Sequence, residues 1–232
     1  MAARAPRSRR RHGRRRLVVW GVGVVVLLVV AAFVGPAVYA GLVNGHADPA
    51  PSLSPGGTAV GRPGPLADGR WTVGTGSFAG YRVHEVLQGH DATVTGRTDE
   101  VTGTVTVAGG RVTAGSVTVQ VASIHTDEPP RDAYFRSTAL ETSRFPTATF
   151  TLAGAVPASS GSVRLPGRLT VHGVTREVSI PAQAATGEAG AEIVASLPVT
   201  WADYGVGAPR LPFVTVDDHG AIELDLHLVR AS

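Results

Sequence analysis

The chain has 232 residues, with 21 basic side chains, all of them arginine, 18 acidic ones, and no cysteine. Without cysteine there is no disulfide, no thiolate nucleophile and no cysteine-bound metal. The net charge of +3 does not point to nucleic acid, because eight arginines precede Leu17 and the other 13 face all 18 acids. The body of the chain is therefore mildly acidic.

Residues 1–16 form the basic tail, and the uncharged run LVVWGVGVVVLLVVAAFVGPAVYA extends from Leu17 to Ala40. A spanning helix needs roughly 20 apolar residues, whereas a cleaved signal peptide has an apolar core of about 7–15. The run is thus read as a transmembrane signal anchor over 17–40. Arginines before it keep the N-terminus cytoplasmic and place the C-terminal part outside, in a single-pass arrangement. Val38-Tyr39-Ala40 also fits a cleavage site, and either route exports the domain.

Residues 41–69 are rich in proline and glycine and read as a linker with few contacts to the C-terminal domain. On that reading a chain starting near Asp68 is folded and soluble.

From residue 70 to 232 the pattern is β-strand. Val101, Val105 and Val107 alternate with Thr102, Thr104 and Thr106. Val117, Val119 and Val121 alternate with Thr118 and Gln120. Ile222, Leu224, Leu226 and Leu228 alternate with Glu223, Asp225 and His227. Period-two alternation makes a sheet with one dry and one wet face, and turns such as Gly109-Gly110 imply antiparallel hairpins. About eight strands can close into a barrel, whose interior holds either a packed core or one small ligand.

The segment SIHTDEPPRDAYFRSTALETSRFPTATF, from Ser123 to Phe150, interrupts this alternation. His125 and Asp127 are too few for a metal site, and the other histidines are scattered. There is no G-x-S-x-G elbow and no phosphate-binding loop. Asp127, Glu128 and Asp132 read as turn polars, with Asp132 suited to accept backbone N–H groups near a short helix started by Pro129-Pro130. No catalytic residue, metal or cofactor is expected, and the chain is read as a non-enzyme.

The order Ser123-Ile124-His125-Thr126, Arg131-Asp132, Phe135-Arg136-Ser137 and Phe145-Pro146-Thr147-Ala148-Thr149-Phe150 resembles the YceI-like family of polyisoprenoid-binding proteins. The hairpin GRLTVHGVTREV, Trp71 with Ser77, and Asp203-Tyr204-Gly205 extend the resemblance over roughly 70–230. His125 stands where the family often has an acid, and Asp127 where it has glycine. Anchor plus linker resembles the membrane-anchored actinobacterial type. The resemblance implies a lipocalin-like antiparallel β-barrel whose apolar cavity holds an isoprenoid chain.

The candidate lining residues are Val105, Val107, Val117, Val119, Val121, Leu169, Val171, Ile222, Leu224 and Leu226. Tyr134, Phe135, Phe145 and Phe150 are placed near one mouth. The expected partners are an apolar lipid and the membrane. The competing reading is a solid-cored cell-surface interaction module, and a continuous void of about 300 Å³ or more separates the two.

Overall fold

The computed structural model describes residues 47–54, 61–87, 89–211 and 214–231, with isolated positions 35, 38, 41 and 45. The tail over 1–16 lies outside the described residues, as does the anchor over 17–40 apart from two single positions. Among the described residues no helix is long and apolar enough to cross a membrane.

The strands are β1 (Gly69–Val73), β2 (Phe78–Leu87), β3 (His90–Thr98), β4 (Val101–Ala108), β5 (Arg111–Gln120) and β6 (Thr147–Leu152). They continue as β7 (Val156–Pro157), β8 (Gly161–Val171), β9 (Val174–Thr186), β10 (Ala191–Thr200), β11 (Arg210–Leu211) and β12 (Val214–Arg230). All pairings are antiparallel. The order β1-β4-β5-β6-β8-β9-β10-β12 returns to β1 through Trp71–Val73 against Leu228–Arg230, which closes an eight-stranded barrel. The long β12 also carries β2 on its N-terminal part, and β3 pairs with the far side of β2.

Valine and threonine in alternation favour this pleated, half-buried geometry. The turn between β4 and β5 needs two positive φ values, and Gly109 (φ 59) and Gly110 (φ 70) supply them without a Cβ penalty. A register shift leaves Thr113 of β5 unpaired opposite Thr106/Val107, a bulge just after that turn.

One end of the barrel is plugged by Leu66, Trp71, Val107, Ala158, Ala191 and Leu228. Towards the other end lies the corner from Val121 to Pro146. It contains α1 (Pro129–Tyr134), which widens into a π turn over Phe135–Ala139. The corner meets the free edge of β3 where Arg97 and His125 exchange both backbone hydrogen bonds, at 3.0 and 3.1 Å.

The linker differs from the expectation of a loose tether. Residues 47–54 lie on the outer wall: the Asp48 N–H donates to Thr95 Oγ1 at 3.0 Å, and Arg82 donates to the Asp48 carbonyl at 2.7 Å. Both the N–H and the hydroxyl of Ser54 donate to Glu192 Oε1, at 2.8 and 2.9 Å. Further on, Gly64 N–H donates to Thr186 O and Leu66 N–H to Ala158 O, and Leu66 is only 3% exposed. An extended Pro-rich chain makes no internal hydrogen bonds, so its backbone groups are free to satisfy polar groups on the strands. The domain therefore begins before Asp68, and a chain cut there loses a core side chain. Leu66→Ala is expected to lower unfolding free energy by about 2–4 kcal/mol, read as a lower urea midpoint at unchanged slope.

Candidate functional site: an apolar cavity in the barrel

The inward faces of the strands do not meet. They enclose a cavity of about 730 Å³ whose wall is almost wholly aliphatic and aromatic. The cavity stops against Val105, Val112 and Ile193, which pack on the Trp71 plug. Tyr134 lines it while 39% exposed, so α1 marks the mouth, together with the loop through Gly207 to Pro209.

Of the residues expected to line it, Val105, Val117, Val119, Val121, Leu169, Val171, Ile222, Leu224 and Leu226 are in the wall. Tyr134, Phe135 and Phe150 are there too, but Phe150 packs mid-barrel with Leu169, Ile180 and Ala182 rather than at the mouth. Val107 and Phe145 are not in the wall. The place of Val107 opposite Gly69, one step along β4 beyond Val105, puts it in the plug with Trp71 and Leu66. Phe145 packs in a T-shaped arrangement with His172, ring centres 4.6 Å apart, and carries the Arg144 guanidinium 5.0 Å from its ring centre, outside the cavity.

Sequence reasoning missed the wall contributed by β2 and β10. Tyr81, Val83 and Glu85 share one face of β2, and Ile193 and Leu197 share one face of β10. The period-two rule was enough to find Ile193 and Leu197. The β2 face was masked by Glu85, a charge on an inward position.

That charge has a partner. Glu85 is 6% exposed, and Arg131 from α1 reaches it at 3.4 Å while binding Asp127 at 2.8 Å. Tyr81 stacks on Phe135, with ring centres 5.2 Å apart and planes 11° apart. The ring fits because Gly96 lies beneath it: a Cβ there would stand 2.5 Å from Tyr81. Burial pushes the Tyr81 phenol above its ordinary value, so it stays neutral. The mouth is thus an aromatic and ionic rim over an apolar tube.

The acidic residues of the corner are structural in their geometry. Asp132, 8% exposed, accepts the Thr126 N–H at 2.9 Å and its hydroxyl at 2.8 Å, the role its position implied. Asp127 is held by Arg131, and the exposed His125 joins β3 through its backbone. His125 and Asp127 border a small polar recess of about 90 Å³ with Asp48 and Arg97, whereas Glu128 lies at the mouth of the apolar cavity.

The corner is also tied to the turn between β8 and β9. Glu141 (φ 42) and His172 (φ 50) are the two non-glycine residues with positive φ among those described, and they bind each other at 3.2 Å. Such backbone costs of order 1–3 kcal/mol and persists only where surroundings hold it. Hydrogen bonds from Arg144 and then His172 keep the Glu141 carboxyl below its ordinary value of 4.5. Its contribution is complete above that value and is lost as pH falls through the lowered one. Glu141→Gln should therefore reduce stability near neutrality and converge with the unsubstituted protein in acid, as urea midpoints against pH would show.

Comparison with known proteins gives the same architecture. BcnA from Burkholderia cenocepacia aligns with a TM-score of 0.51 at 20% identity, over 65% of this chain and 96% of that one. A polyisoprenoid binding domain from Saccharophagus degradans, implicated in plant cell wall breakdown, aligns at 0.55 and 18%, over 71% and 100%. At such identities the likeness is one of fold. A search of curated proteins gave no match. The YceI-like domain description matches residues 71–228, closed barrel and corner together, and the chain belongs to that family.

Proposed function

We propose that this protein binds an apolar lipid, an isoprenoid, inside its barrel, without catalysing a reaction on it. The observation that carries this is the cavity. At about 730 Å³ it lies within the ~300–1,000 Å³ of small-ligand pockets and far above the void that a packed core leaves. The solid-cored interaction module is disfavoured on the same ground. A cavity lined largely by valine, leucine and isoleucine offers apolar area but almost no hydrogen bonds, which suits a branched hydrocarbon chain. The polar end of such a lipid would rest at the rim of Tyr81, Glu85 and Arg131.

The same reading has the domain outside the cell and tethered to the membrane by residues 17–40, with the arginine-rich tail in the cytoplasm. A tethered carrier stays near lipids that are scarce in free water. The likeness of this fold to a polyisoprenoid binding domain supports the choice of ligand.

Native mass spectrometry of the gently purified full chain is expected to show co-purified lipid, and the stripped protein should take up farnesol or a longer isoprenoid alcohol. Leu224→Trp, which fills the mid-cavity, is expected to cut uptake at least about tenfold at little cost in stability, since the added volume enters a void. A protein that arrives empty and refuses isoprenoids sinks the proposal. For topology, protease added to intact protoplasts should remove the C-terminal domain. Survival until lysis, in a domain digested when isolated, reverses the assignment.

A further inference from the structure

The outer wall of the barrel carries a second group of residues, separate from the cavity. Glu192 and His227 are directly opposed in the β10–β12 ladder, and Asp225 lies two residues before His227 on the same face. One carboxylate oxygen of Glu192, one of Asp225 and one ring nitrogen of His227 lie within 4.8 Å of each other. Glu192 is 1% exposed, the most deeply buried acid described.

Two of these oxygens lack a hydrogen-bond partner. Ser54 occupies Glu192 Oε1 with both its donors, and Glu192 Oε2 is left without one. Asp225 Oδ1 is likewise unpartnered, standing 3.4 Å from His227 Nε2 without hydrogen-bond geometry. A buried carboxylate oxygen with no partner costs several kcal/mol unless a positive charge satisfies it. No guanidinium hydrogen-bonds either oxygen, although the Arg97 charge is felt at Asp225. Arg82 is committed to Glu223 at 2.7 Å, and Arg97 spans Glu223 at 3.8 Å and Asp48 at 3.5 Å. Across this patch four carboxylates face two guanidinium groups, so two negative charges are left over.

We infer that Glu192, Asp225 and His227 form a binding site for a divalent transition-metal ion such as Zn²⁺, covered by residues 47–54. One imidazole and two carboxylates are a donor set suited to such an ion, whose charge matches the excess. Zinc bonds of about 2.0–2.2 Å in tetrahedral geometry put neighbouring donors ~3.4 Å apart, the separation already present between Asp225 and His227. The Glu192 donor lies within 4.8 Å of both. Ser54, by holding the other oxygen of Glu192, is a positioning residue for that ligand. The ion cross-links β10 to β12 and secures the outer strap, and it takes no part in lipid uptake.

The test uses the full chain in mild detergent, without a polyhistidine tag and stripped with chelator, titrated with Zn²⁺ by calorimetry and thermal unfolding. The expected result is one equivalent bound and a raised Tm. Glu192→Gln and His227→Gln should each weaken binding by more than about tenfold, and Ser54→Ala, which removes no ligand, by about tenfold. His219→Gln, in the exposed acidic turn of β12, should change nothing. Near-UV circular dichroism shows that each variant is folded, and if a ligand variant fails to fold, Ser54→Ala decides. Absence of zinc binding overturns the inference, and so does binding that survives the Glu192, His227 and Ser54 changes or disappears with His219→Gln. Lipid uptake is measured separately, so failure of this site leaves the proposed function standing.

Discussion

Three residues close the barrel. Trp71, Thr72 and Val73 pair with Arg230, Val229 and Leu228 and so join the first strand to the last. The rest of the structure depends on that short ladder, because a twisted sheet with one apolar face has to hide it. Once β1 is fixed between β4 and β12, Trp71 is forced inward at 1% exposure, and Leu66 and Val107 gather round it. The plug then defines where the cavity ends. An apolar void of this size is destabilising when nothing fills it. The closed hydrogen-bonded ring is what lets the wall stand without a packed centre, and it leaves β3 as the edge that has to be covered.

The corner solves a second problem. Beyond β1 the strand β12 continues with β2 and β3, whose outer edge has no strand beside it except at the Arg97–His125 bridge. The α1 segment covers the opening with Tyr134 and Phe135, while Arg131 places a positive charge against the inward Glu85. Holding this irregular segment against the barrel requires strained backbone at Glu141 and His172, and their mutual contact lies where the corner crosses the β8–β9 turn. Polar groups in the corner thus serve the mouth of an apolar cavity.

β10 and β12 carry two chemistries on opposite faces. Ile193, Leu197, Leu224 and Leu226 look into the tube, while Glu192, Asp225 and His227 look out. The period of two allows this: one strand pair forms part of the apolar cavity and, independently, of a charged outer face. The Pro-rich strap is the element that buries the outer face, converting surface acids into buried ones.

By itself the sequence determined the strand-rich secondary structure, the antiparallel class and a part of the cavity wall on β5, β8 and β12. These depend on alternation within a strand, which is local. The family pattern around Ser123 to Phe150 was equally legible, because it is contiguous. Only the tertiary structure decided the exceptions. Val107 obeys the alternation and faces inward, yet it lies in the plug, because its place opposite Gly69 is one step beyond Val105, where the cavity ends. Phe145 is apolar yet lies outside, against His172. Glu85 is charged yet inward, because Arg131, distant in sequence, meets it. Residues 47–54 and 61–66 have the composition of a linker, and their placement was set by polar groups on strands far along the chain. Glu192 and His227 are brought together only by the ladder between β10 and β12. Composition and periodicity describe what a residue does with its neighbours in the chain, whereas burial and pairing across the barrel depend on which distant strand closure sets beside it.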